Sequence, residues 1–164
     1  MAAEAASSSS SSKMISLKSA DGDVFEVEPS IAKQMQTVQT FIADVDADAD
    51  AVIPLPNIYT RELSKIIDYG KQHRAAAAKD HDAEFFKEVN DEEMMELILA
   101  AHYLNMTDLF EFLTQVMADR IQNKSVEHVR KVFRFADSGY TAKEEAEIRE
   151  KNAWAFKGVD QDDE

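Results

Sequence analysis

The 164-residue chain contains no cysteine. That excludes disulfides, thiolate zinc sites, iron–sulfur clusters and a cysteine nucleophile together. Glycine occurs four times, at Gly22, Gly70, Gly139 and Gly158. Glycines this scattered build neither a phosphate-cradling loop nor a nucleophile elbow. His73, His81, His102 and His128 never fall in an HxxxH or HExxH spacing, so no metal site is expected. Nor is a cofactor or a catalytic residue. No run approaches the ~20 apolar residues of a membrane span. Met1 to Lys13, with serine at every position from Ser7 to Ser12, has no basic n-region and no apolar h-region, so it is not a signal peptide. It reads as a flexible tail, and an intracellular soluble protein is expected. Bases are scarce, with 18 Lys+Arg against 32 Asp+Glu and a net charge of −14. Such a charge repels phosphate, so neither nucleic acid nor an acidic membrane surface is an expected partner.

Apolar residues, by contrast, are plentiful at 45%. That is enough for one compact domain, or one domain with a helical appendage. Ile15 and Leu17 alternate with polar residues before Asp21-Gly22, and Val24, Phe25 and Val27 follow it. This is a hairpin pattern. Pro29 suits the first turn of a helix. Ile31, Met35, Val38 and Ile42 then share the apolar face of one helix or of two short ones. The Asp/Ala run at 44–51 reads as a loop, and Val52 to Pro56 as a short edge piece confined by its two prolines.

Thr60 is placed to cap a helix carrying Leu63, Ile66 and Ile67 and ending near Gly70. Residues 71–82 lack apolar periodicity and read as a mobile excursion. Phe85, Phe86 and Val89 return to the core. Asn90 and Glu93 have capping-box spacing before a helix from Asp91 to Leu104. Its middle, Leu97 to Ala101, is apolar all round and is expected to be buried on most sides. Asn105 suits a left-handed stop, Thr107 a cap for a helix to about Gln122, and Ser125 a cap for a short helix. Thr141 and Glu144 form another capping box, before a polar helix reaching about Phe156.

The C-terminal third holds more apolar side chains than one small core should use. The helix from Thr107 has two apolar faces, and Val129, Val132, Phe133, Ile148, Trp154 and Phe156 follow it. Either they close the chain's own core or they form a partner surface. The acids are grouped in Asp44 to Asp50, Asp80 to Glu96 and Asp160 to Glu164, as solvated loops and tail or as steering charges. Arg120 to Arg134 is the one basic stretch. It is positioned to ring an apolar patch and to favour partners with acidic rims.

Seven segments in order bring the chain to a known family. They are ISLKSADGDVFEVE (Ile15 to Glu28), IAKQ (Ile31 to Gln34), IPLPNI (Ile53 to Ile58), DAEFFKEV (Asp82 to Val89), ELILAAHYLNM (Glu96 to Met106), EHVRKVF (Glu127 to Phe133) and TAKEEAEIREKNAW (Thr141 to Trp154). The series resembles the Skp family, the S-phase-kinase-associated adaptors of SCF ubiquitin ligases. The resemblance implies an α+β, predominantly helical BTB/POZ fold with a small N-terminal sheet and extra C-terminal helices. The organisation it implies is a tail at 1–13, a BTB/POZ domain at 14–122 and F-box-binding helices with an acidic tail at 123–164.

The resemblance also implies a non-enzymatic adaptor of the nucleus and cytoplasm that links a cullin scaffold to F-box substrate receptors. The cullin face falls on Val38, Phe41, Ile42, His102 and Tyr103. The F-box face falls on Met95, Phe110, Ile121, Val129, Phe133, Ile148 and Trp154. The chain departs from the family's usual Asn at His102, Phe at Met95, Trp at His81 and Pro at Val126, and is one residue longer between Phe133 and Tyr140. Without an F-box protein, a homodimer through the exposed patch is expected. The alternatives are a self-associating BTB-like protein or a diverged relative that binds F-box proteins without cullin.

Overall fold

The alternation around Asp21-Gly22 makes an antiparallel hairpin, with β1 at Ile15–Lys18 paired to β2 at Val24–Val27 in the register Ile15 to Val27 and Leu17 to Phe25. Gly22 turns the loop at φ +100°, a region that costs other residues strain. The computed structural model describes residues 14–44, 52–75, 84–135 and 139–159. The expected tail at 1–13, nearly all of the 44–51 loop, residues 76–82 of the excursion, the extra residue before Tyr140 and the acidic tail lie outside them. Strand β3, Val52–Pro54, runs parallel to β1 at the sheet edge, giving the order β2-β1-β3. An edge is where a strand ending in proline is tolerated.

Helices cover this small sheet. The stripe beginning at Ile31 divides into α1 (Pro29–Ala32) and α2 (Gln36–Asp44). Next come α3 (Thr60–Ala75), α4 (Asp91–Tyr103), α5 (Thr107–Ile121), α6 (Val126–Val132) and α7 (Ala142–Lys151), with a 3-10 turn at Ala153–Phe156. A single core joins Leu17, Val27 and Leu55 of the sheet region to Ile31, Leu63, Ile66, Leu97, Leu104 and Leu113 of the helices. Phe86 plugs it from the 84–89 segment, with Tyr69, Phe85 and Phe112 ringed around it at centroid distances of 5.4, 4.8 and 5.9 Å. The fold is thus α+β and predominantly helical.

Two expectations are corrected here. First, α3 does not stop near Gly70 but continues to Ala75. Gly70 is a packing glycine: a Cβ there would stand 2.9 Å from the Ile31 Cγ2 methyl. Gly70→Ala is therefore expected to destabilise the fold by about 1–2 kcal/mol, overpacking outweighing the gain of up to about 1 kcal/mol in helix propensity. A lowered urea midpoint checks it; a raised one refutes it.

Second, Thr60 and Thr107 do not cap by their own side chains. Thr60 is already helical, and Asp21 of the hairpin loop caps α3, its Oδ1 accepting the Thr60 N–H at 2.9 Å and the hydroxyl at 2.7 Å. These bonds and the Ser19 hydroxyl hold the Asp21 carboxyl below its ordinary pKa, the Thr60 hydroxyl acting most. Met106 takes the capping position of α5 without a side-chain bond. The apolar centre of α4 is buried on most sides as expected, with Leu97, Ile98, Ala100 and Ala101 buried and Leu99, at 63% exposed, the open position.

The local caps at Asn90, Ser125 and Thr141 form as expected, each accepting from the backbone N–H three residues on. Asn105 and Asn123 end their helices at φ +53° and +62°.

Candidate functional surfaces

The end of α4 presents the first surface. Helix α2 docks its N-terminus there. The Thr37 hydroxyl donates to the Tyr103 carbonyl at 2.7 Å, the Thr37 N–H to Leu104 at 3.2 Å, and the Asn105 amide to Gln36 Oε1 at 2.6 Å. These bonds bring the Phe41–Ile42 helix to the His102–Tyr103 corner. Val38 is fully buried, Phe41 and Ile42 are exposed, His102 is exposed and Tyr103 is half-buried. Val38 is therefore interior, and the other four reach solvent near this corner. An apolar dent of about 310 Å³ between Ile15, Pro29, Ala32 and Ile42 adjoins it.

The second surface lies at the other end of the α4–α5 hairpin and on the helices beyond. Met95, Leu99, Val132 and Phe133 line a shallow pocket of about 180 Å³ with Glu92, Glu96 and Arg134 on its sides. Phe135 stacks on Phe133 at 5.7 Å and is 64% exposed. Ile121 and Val129 are half-buried, Ile148 is exposed, and Trp154 is 74% exposed. The C-terminal apolar surplus thus divides. Leu109, Leu113, Met117 and Val132 close the core, while Trp154, Phe135, Tyr140 and Ile148 stay open to solvent.

Phe110 is set apart from the others. It sits in the first turn of α5 with its ring 5.5 Å from that of His102. Ile121 lies eleven residues on, about 16 Å along the helix. Leu99 and Phe135 were not anticipated as surface residues. Leu99 follows Met95 by one helical turn, which is the signal that places it on the same stripe.

The basic stretch does not form a free ring. Arg120 gives its guanidinium to the Val89 and Phe86 carbonyls at 2.5 and 3.0 Å and to Asp91 at 3.2 Å. Arg130 pairs with Glu145 at 3.1 Å and Arg134 with Glu92 at 2.8 Å. These arginines hold the chain's own helices, and Arg134 also stands at the side of the second surface's pocket. Among the described residues no group of His, Asp and Glu is arranged to hold a metal ion, and no helix is long and apolar enough to cross a membrane.

Helix α7 buries no residue. Its start is fixed by the capping box, in which the Glu144 carboxylate accepts the Thr141 N–H and hydroxyl, both at 2.8 Å. The backbone N–H, then the hydroxyl, hold the Glu144 carboxyl below its ordinary 4.5. A depressed carboxylate pKa contributes stability that is present above the ordinary value and lost as the pH falls through the folded one. The Thr141 amide resonance is therefore expected to titrate with a midpoint below 4.5, and to stop doing so in Glu144→Gln. A midpoint above 4.5 refutes the capping role.

Two family models match most of the chain. Residues 13–75 match the model of the Skp1 family tetramerisation domain, and residues 107–155 that of the Skp1 family dimerisation domain. The chain is similar to SKP1-like protein 1 of Oryza sativa subsp. japonica, 39% identical over 88% of this chain and 95% of that one. It is also similar to SKP1-like protein 1A of Arabidopsis thaliana (38% identical, 89% of this chain, 99% of that one) and SKP1-like protein 4 of the same plant (40%, 88% and 96%).

Proposed function

Because this chain belongs to the Skp1 family, we propose that it is the adaptor subunit of an SCF-type E3 ubiquitin ligase, joining a cullin scaffold to F-box substrate receptors. The observation that carries this reading is the open apolar surface at the C-terminal end, with Trp154 and Phe135 exposed after the core is already closed. Large exposed apolar patches mark partner sites. The cullin contact is assigned to Phe41, Ile42, His102 and Tyr103, and the F-box contact to Met95, Ile121, Val129, Phe133, Ile148 and Trp154. Phe110 borders the first group through His102 and belongs to the F-box group by resemblance alone.

In this role the protein performs no chemistry of its own. It supplies proximity, holding the receptor and its cargo near the catalytic end of the ligase. The location proposed with this role is the nucleus and cytoplasm, which imaging of a fluorescent fusion tests.

Mixing the full chain with a cullin N-terminal domain and an F-box protein is the direct test, and a ternary complex on size exclusion is expected. Binding of the F-box protein without the cullin would support the diverged-relative reading. Binding of neither would overturn both. Self-association of the free chain is a second reading that the same patch supports, since among the described residues Trp154 stays open to solvent. Light scattering should then show dimers that dissociate when an F-box protein is added.

A further inference from the structure

The helices that carry the second surface are held to the body in an unusual way. Helix α6 buries only Val132, and α7 buries nothing. Ion pairs run instead from element to element. In the first turn of α4, one Asp91 oxygen takes Arg120 of α5 at 3.2 Å and the other faces the His128 ring of α6 at 3.6 Å, a contact that is an ion pair only when the imidazole is protonated, and Glu92 takes Arg134 just past α6. From α6 the series continues to α7, with Glu127 to Arg149 and Arg130 to Glu145. Arg120 also clamps the Phe86 and Val89 carbonyls, which ties Asp91 to the aromatic plug of the core.

Isolated surface pairs contribute little. These differ in two respects. Asp91, Arg120, Arg130 and Glu145 are each no more than about a third exposed, so solvent weakens their pairs less, while the Glu92–Arg134 and Glu127–Arg149 pairs are open to water and are the ones added salt screens most. There is also little apolar burial to compete with them, so small electrostatic energies decide where α6 and α7 lie.

We propose that this ion-pair ladder is the mount of the receptor-binding face, with Asp91 as its positioning residue. It sets the spacing of Val129, Phe133 and Trp154 from Met95, and so makes receptor affinity depend on ionic strength through the mount. The affinity half of this statement rests on the adaptor reading; the mounting half does not.

Hydrogen exchange of the full chain at neutral pH tests the mount without any partner. Going from about 0.1 M to about 1 M KCl shortens the screening length from about 10 Å to about 3 Å. Exchange in 126–132 and 142–151 is expected to quicken several-fold, while Ile66, Ile67, Leu113 and Met117 keep their protection. Asp91→Asn at low salt should reproduce the change, and Asp91→Glu, which keeps the carboxylate, should reverse it. Asp68→Asn, which breaks the exposed Asp68–Lys71 pair on α3, is the control and should leave 126–151 unchanged. Protection of 126–151 that is indifferent to both salt and Asp91→Asn overturns the proposal.

In the partner arm, Asp91→Asn should weaken binding of an F-box protein by about 5- to 10-fold, with Asp91→Glu near wild type. Faster exchange with unchanged affinity overturns the positioning role. If the wild-type chain binds no F-box protein, the adaptor reading fails, and the exchange data alone decide the mount.

Discussion

Trp154→Ala is expected to leave the free protein folded and to weaken F-box binding by about 2–4 kcal/mol, roughly 30- to 700-fold. The two halves of this expectation come from the same fact. Trp154 is 74% exposed, so its indole contributes little to the free fold, and an exposed substitution typically changes stability by under about 0.5 kcal/mol. The 3-10 turn that holds it does not depend on the indole. The Ala155 N–H bonds the Asn152 carbonyl at 2.8 Å, the Asn152 amide bonds the Ile148 carbonyl at 2.8 Å, and the Arg149 guanidinium lies over the Phe156 ring. A partner that covers the indole removes on the order of 150 Å² of apolar surface from water, which at about 25 cal/mol per Å² gives a gross gain near 4 kcal/mol. Calorimetric titration of wild type and variant measures the difference, with thermal melting as the control. Full retained affinity removes Trp154 from the receptor face. A large fall in melting temperature shows instead that the residue is structural.

How far the sequence carries depends on whether the cause of a feature is local. The hairpin, the left-handed stop at Asn105 and the caps at Asn90, Ser125 and Thr141 are all decided within a few residues, and all were legible. Thr60 had the composition of a cap but lost that role to Asp21, 39 positions away, because the hairpin loop arrives at the start of α3. Gly70 looked like a stop because the methyl of Ile31 that requires a glycine there comes from another helix. Helix α4 was recognised as buried, yet a centre apolar on every side has no periodicity to single out Leu99 as the open position.

The same limit applies to the charges. Sequence order shows Arg120 to Arg134 as a basic stretch, which suggested outward-facing selectivity. Each of its arginines meets a carboxylate supplied by another segment, Asp91, Glu92 or Glu145. Asp91 at the start of α4 meets Arg120 at the end of α5 because α5 returns antiparallel alongside α4, Glu92 meets Arg134 just past α6, and Arg130 reaches Glu145 of α7, so the basic stretch finds its partners in two other segments.

Tyr103→Lys is expected to abolish cullin binding while F-box binding persists. The side chain is half-buried at the end of α4, but the contact that docks α2 there uses its backbone carbonyl, which accepts from Thr37 at 2.7 Å whatever the side chain is. Fully buried Leu104 and Val38 on either side keep the corner in place. The lysine puts a hydrated ammonium where an aromatic ring would be desolvated, and an uncompensated charge in an interface costs well above the roughly 2 kcal/mol of a hot-spot truncation. The loss should therefore exceed about 30-fold. Trp154 lies on the C-terminal helices beyond the opposite end of the α4–α5 hairpin, so its partner should not sense the change. Pull-downs with a cullin N-terminal domain and with an F-box protein, run on the same two variants, give a two-by-two pattern. Tyr103→Lys should lose only the first partner and Trp154→Ala only the second. Cullin binding unchanged by Tyr103→Lys would show that the His102–Tyr103 corner is not the scaffold contact, and loss of both partners by either variant would show that the two surfaces are one.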